Sequence, residues 1–235
     1  MTTKEVLKEL EGYADATTKN IYIKHGAKEP VFGVKVADLK KILKKTKKNH
    51  DLSLALYKTG NSDAMYLAGL MADESKISKK ELQEWVEGAY WYYISEFAVP
   101  WVAAETPFGF ELGLEWLESD KENIQAAGWS TLSSYASLNE SDNLDLKIYK
   151  KLLKKAEAEV HKDENRVSYT INNFIIAVGT YIPELSEEAK AAGSRIGKVK
   201  VNMAEVNCKV PLAVEKIDKV IEKGRVGVKR KTARC

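Results

Sequence analysis

Apolar side chains recur at helical intervals from one end of this chain to the other. In 36–50, VADLKKILKKTKKNH, Val36, Leu39, Ile42 and Leu43 share one face and lysines take the other, the pattern of an amphipathic helix. The opening TTKE predicts a first helix capped by Thr2 or Thr3, with a glutamate placed for a capping box. DLSLALYKTG predicts a short helix stopped by Gly60, and NSDAMYLAGLMAD a restart from an asparagine or serine cap. Residues 78–105 predict two helices with a break near Gly88 to Tyr92, the second kinked at Pro100. Pro107 suits the first turn of a helix in TPFGFELGLEWLES. Further helices are predicted over 121–137, 145–161, 165–181, 185–196 and 210–222. Convincing strand alternation is absent, and 197–210 is the one stretch where a short extended piece would fit.

Three of these helices open on a related pattern: MYLAGL at 65–70, IQAAGW at 124–129 and YTINNF at 169–174. In each, a small residue (Gly69, Gly128, Asn173) precedes a large apolar one, and each follows another helix. Many short helices in antiparallel pairs with faint repetition predict an all-α fold, an α-solenoid of HEAT type. An irregular helical bundle is the alternative. The expected organisation is a single domain over 1–235 whose last residues, 223–235, form a basic tail. In a solenoid the second helices of successive pairs line the concave face, which places Tyr66, Gln125 and Thr170 on one stripe.

Composition narrows the picture. With 44% hydrophobic and 30% charged residues the chain reads as globular and soluble, and only 5 prolines and 14 glycines leave few helix breakers. The net charge of +3 is too small to argue for a polyanion by itself. Its distribution says more. Lys35, Lys40, Lys41, Lys44, Lys45, Lys47 and Lys48 fall in one short run, and the tail EKGRVGVKRKTARC adds Lys223, Arg225, Lys229, Arg230, Lys231 and Arg234. Both segments are suited to neutralising phosphates. A solvated helix face and a fraying tail would look the same.

Other chemistries find little support. Cys208 and Cys235 are far apart with no CxxC, and His25, His50 and His161 are scattered with no HExxH, so neither a disulfide framework nor a metal site is expected. No GxSxG, GxxxxGK[ST] or GxGxxG occurs, so hydrolase, P-loop and Rossmann chemistry are unsupported and no cofactor is expected. No apolar run reaches the roughly 20 residues of a membrane span. The charged N-terminus does not read as a signal sequence. A cytoplasmic monomer is the expectation.

The aromatic stretch AYWYYISEFAVPWVAAE at 89–105 stands apart, with Trp91, Trp101 and three tyrosines. Trp91, Trp129 and Phe174 sit near starts of inward-facing helices, where they fill a core or offer faces for stacking. Glu96 and Glu105 are the carboxylates of this stretch. A carboxylate among rings is a candidate acid or base, or the partner of a lysine.

The run YIKHGAKEPVFGVKVADLKKILKKTKK at 22–48, the helix order and the tail GRVGVKRKTAR together resemble the bacterial DNA alkylation repair family, the AlkD-like HEAT-repeat proteins. The resemblance covers nearly the whole chain. It implies a solenoid that wraps duplex DNA in a positively charged concave groove. It also implies a glycosylase that removes cationic N-alkylated purines, with an aspartate stabilising charge on the sugar, tryptophans packed against the backbone and an arginine holding a phosphate. Carried over residue by residue, Trp91 matches the first tryptophan. The aspartate position is Ser95, the second tryptophan falls at Phe174 and the arginine at Gln125. Both charged positions are therefore lost, and a hydroxyl does not replace a carboxylate as an electrostatic stabiliser. Glu96 lies one residue on, about 100° away around a regular helix, and would serve only if the helix were irregular there or the register shifted by one.

The expected function is DNA binding through backbone and shape, on bent, branched or damaged double-stranded DNA, without ordinary alkylpurine excision. Trp91, Ser95, Gln125, Phe174, Lys35, Lys44, Lys45 and Arg230 are the expected DNA-binding residues. One alternative is an active glycosylase for N3- and N7-alkylpurines using Glu96. Another is a protein-scaffold solenoid that does not engage DNA.

Overall fold

The computed structural model describes residues 1–163, 165–202 and 209–234. Among them the chain forms thirteen α-helices and no strand. They are α1 (Thr3–Gly12), α2 (Ala16–Lys24), α3 (Val36–Thr46), α4 (His50–Tyr57), α5 (Ser62–Met71), α6 (Lys79–Gly88), α7 (Val99–Ala104), α8 (Gly109–Leu117), α9 (Glu122–Leu138), α10 (Leu146–Glu159), α11 (Arg166–Tyr181), α12 (Ser186–Ile196) and α13 (Ala213–Glu222). Consecutive helices pair, α4 with α5, α8 with α9, α10 with α11 and α12 with α13. The later member of each pair also meets the next pair's, so α9 packs on α7 and α11, and α11 on α13. This gives an outer layer and an inner row of helices, the build of a HEAT-type solenoid.

Local chemistry explains the boundaries. Thr2 caps α1 in a full capping box with Glu5, and Asn61 caps α5 by accepting from the Ala64 N–H at 3.0 Å. Gly60 takes φ +68 in the turn between α4 and α5, a conformation that favours glycine. The predicted helix 36–50 ends earlier, at Thr46, because Asn49 caps a new helix. Helix α2 was not predicted. Its sequence, ATTKNIYIK, alternates too little to show one buried face, and it is held by Asp15 at its cap.

Glycines sit where helices approach closely. A Cβ on Gly69 would lie 2.7 Å from the Ala98 side chain, and one on Gly128 2.7 Å from the Leu117 backbone. The small residue of the repeated pattern is thus a close-approach position. The aromatic residues fill the interior. Trp91 is 2% exposed and stacks on Tyr93 at 4.4 Å. Phe174 is fully buried against Trp129 and Tyr149. Tyr66 and Thr170, expected on a surface stripe, are also buried. The reason is that the inner helices bury the face that carries these residues against one another.

Two expectations concern the chain after α12. The tail does not fray: it lies across the ends of the inner helices, as described below. Of the expected extended piece at 197–210, residues 203–208 lie outside the described residues, as do both cysteines.

Candidate functional site

Between α6 and α7 the chain makes a π-helix, Tyr93–Ala98, in place of the predicted kink. Pro100, at the start of α7, has no N–H to give the Glu96 carbonyl four residues back. The wider π turn is a local irregularity of the kind often found at functional sites. Ser95 and Glu96, both in this turn, line one cleft of about 450 Å³, together with Tyr92, Asn123 and Arg166.

Arg166 opens α11, and its guanidinium forks onto Glu96. Nε donates to one carboxylate oxygen at 2.6 Å and Nη2 donates to the other. The Arg166 side chain is 20% exposed and that of Glu96 2%. The cation lies over the Tyr92 ring at 4.3 Å and the Tyr169 ring at 4.4 Å, geometry that adds a cation–π attraction to a bidentate ion pair. The backbone N–H of Arg166 donates to Glu122 on α9 at 2.9 Å. Burial raises the Glu96 carboxyl to about 7, against the opposing pull of Arg166. Tyr92 extends the network to α2 through its hydroxyl, 2.6 Å from His25 Nδ1. Lys28 stands over Tyr90 at the rim.

A second buried carboxylate supports this end of the molecule from below. Asp63, in the first turn of α5, accepts from the backbone N–H groups of Phe32, Gly33 and Val34 at 2.6, 3.1 and 2.8 Å. It pins the loop that carries the 22–48 signature. Gly33 takes φ +79, with the Lys19 backbone nitrogen 2.3 Å from where a Cβ would stand.

The expected site residues divide into four groups. Ser95 and Glu96 meet in the cleft. Gln125, half-buried one turn into α9, donates to the Leu117 carbonyl. Trp91 and Phe174 are interior packing residues and show no face to solvent. Lys35, Lys44, Lys45 and Arg230 are exposed, with Lys45 paired to Glu9. The sequence reading missed Arg166, Tyr92, Tyr169 and Glu122. A signal for Arg166 existed: an arginine at a helix start opposes the helix dipole, so a nearby anion has to hold it.

The tail forms a strap. The Gly227 N–H donates to Thr180 O and the Arg230 N–H to Ser137 O, both at 2.8 Å. Lys229 Nζ donates to Ala136 O and Tyr181 O. Arg234 donates to Ala72 O at 2.6 Å and pairs with Glu74 and Glu105, each at 2.9 Å. The strap therefore satisfies carbonyls at the C-terminal ends of α11, α9 and α5 in turn, and Glu105 ties it to the end of α7.

Fold and cleft together define a HEAT-like helical-repeat protein. A solved structure described as a new family of proteins related to the HEAT-like repeat DNA glycosylases, with affinity for branched DNA structures, superposes on this chain with a TM-score of 0.91, 34% identity and full coverage of both chains. Residues 6–200 match the DNA alkylation repair enzyme family, and the chain belongs to that family. Uncharacterised proteins of Listeria innocua and Listeria monocytogenes are each 30% identical to it over 217 residues, 90% of this chain and 93% of theirs. Among the described residues no helix is long and apolar enough to cross a membrane, and no group of three or more potential metal ligands occurs.

Proposed function

We propose that this protein binds DNA by backbone and shape, favouring branched or distorted duplexes, and does not excise alkylpurines. It acts as a cytoplasmic monomer without metal or cofactor. The observation that carries the reading is the state of the cleft. The position that the family resemblance gives to the aspartate is Ser95, and the neighbouring carboxylate, Glu96, is committed at both oxygens to Arg166. A carboxylate already neutralised by a guanidinium offers little to a positive charge developing on a sugar. DNA binding is supported by family membership and by the affinity for branched DNA described for the structural relative. The exposed lysines Lys35, Lys44 and Lys45 and the exposed Arg230 supply phosphate contacts in this reading. Trp91 and Phe174 contribute by setting the helix packing.

The alternative of excision through Glu96 has one observation in its favour: the π-helix does bring Glu96 to the cleft. It requires Arg166 to leave, and base release would then vanish in Glu96→Gln.

The reading is tested by fluorescence anisotropy with a labelled four-way junction and a matched duplex. Binding should weaken linearly on a log–log salt plot, by about 0.9 per phosphate contact, with the junction held more tightly. Absence of binding to either at about 50 mM salt overturns it and favours the protein-scaffold reading.

A further inference from the structure

The strap changes the charge of the edge it crosses. The C-terminal ends of α5, α7, α9 and α11 converge there, and four helix C-termini make a negative edge. Lys229 and Arg234 turn inward onto the carbonyls and the carboxylates of Glu74 and Glu105. Arg230 and Lys231, between them, stay exposed. They line a groove of about 750 Å³ whose opposite wall comes from the end of α3, at Lys47 and Lys48. The two basic segments, remote in sequence, thus meet at one place.

The lining holds five cationic side chains and two carboxylates, and both carboxylates are engaged by Arg234. Lys47, Arg230 and Lys231 form no ion pair among the described residues. Lys47 also has φ 56 and ψ −161, the one non-glycine residue with positive φ among the described residues. That region suits glycine almost alone, and strained residues cluster at functional sites. At Lys47 that strain stands with an exposed charge on the groove wall. The groove lies at the end of α9 opposite the Glu96–Arg166 cleft, and 17 residues of helix separate the two ends by about 25 Å.

We propose that this strapped groove is a second seat for a phosphodiester backbone, taken by one arm of a branched DNA while another arm lies at the cleft. The inference rests on the DNA-binding reading above and adds to it a location and a reason for a branched partner. Exposed cations on two walls, with inward-facing charges already neutralised, match a phosphate chain and offer no base readout.

The test is a triple variant, Lys47→Gly, Arg230→Ala and Lys231→Ala. All three side chains are exposed and glycine suits the backbone at 47, so the fold is retained, as an unchanged or raised Tm will verify. The comparison variant, Lys147→Ala, Lys151→Ala and Lys154→Ala, removes the same charge from exposed positions of α10. Junction affinity should fall about tenfold in the groove variant, and its salt slope should shrink by roughly 2 to 3, the contribution of three phosphate contacts. Duplex affinity should fall less, and the α10 variant should stay within about twofold of wild type. Junction affinity and slope unchanged in the groove variant, with wild type binding normally, overturn the groove, and Arg230 as a phosphate contact with it, and leave the DNA-binding reading in place. Equal losses in both variants overturn it too. A wild type that binds no DNA removes the DNA-binding reading and the groove together.

Discussion

Arg166 and Glu96, seventy positions apart, form a two-oxygen ion pair between the first turn of α11 and the π-helix that precedes α7. The pair is walled by Tyr92 and Tyr169. Removing the arginine leaves a carboxylate that is 2% exposed. Breaking a buried pair from one side costs about 3 kcal/mol.

The cost should depend on pH. Burial holds the wild-type Glu96 carboxyl up at about 7 from its ordinary 4.5. Between these values the folded protein keeps a proton that the unfolded chain releases, so this group's contribution makes stability fall as pH rises through that window. The hydrogen bond and charge of Arg166 both pull the carboxyl down, so in Arg166→Met it titrates higher still. Urea unfolding should show a gap between wild type and variant that is wider at about pH 8 than at about pH 5.5. An equal gap at both would mean that Glu96 is not the carboxylate left alone.

Glycine-to-alanine changes in the helices should divide by position. Alanine is favoured over glycine in a helix by about 1 kcal/mol. At Gly128 the new Cβ would meet backbone atoms of Leu117 and Gly113 at 2.7 and 2.9 Å, and overpacking of that kind costs about 1–3 kcal/mol. Gly128→Ala should therefore destabilise on balance. At Gly12 no atom lies within 4 Å of the built Cβ, and Gly12→Ala should leave stability equal or higher. Thermal melts of the two variants check the contrast.

The strap should contribute to stability as well as to binding. Arg234 is 9% exposed and is shared by Glu74, Glu105 and the Ala72 carbonyl. Arg234→Met leaves Glu105 without its cation and Glu74 with Lys48 alone, at a cost of about 2 kcal/mol, or roughly 4–8 °C in Tm for a chain of this size. An unchanged Tm would show that the strap is not docked in solution.

Much of this architecture was legible in the sequence. The caps at Thr2 and Asn61, the stop at Gly60 and the break before Trp91 are local chemistry, and local chemistry is what a sequence displays. The small residues at 69 and 128 were legible as a repeated pattern, and packing makes them close-approach positions. The cleft was only half legible. Ser95 and Glu96 were identified, but the π turn that carries both was not. Arg166, Tyr92 and Glu122 come together only through tertiary packing of three elements. The aromatic residues at 91 and 174 were ambiguous because large rings serve core and surface alike, and packing placed both inside. The tail reads as a solvated basic segment until one sees that its partners are carbonyls, which no side-chain pattern reveals.

The most direct test of the central claim is single-turnover base release from N-methylated duplex DNA, at a protein concentration that saturates binding. An AlkD-type glycosylase serves as the positive control. Fully bound DNA is expected with no release of 3-methyladenine or 7-methylguanine above background, since Ser95 carries no charge and Glu96 is held by Arg166. Release above background that disappears in Glu96→Gln would contradict it, and would make the ion pair a latch on an active site.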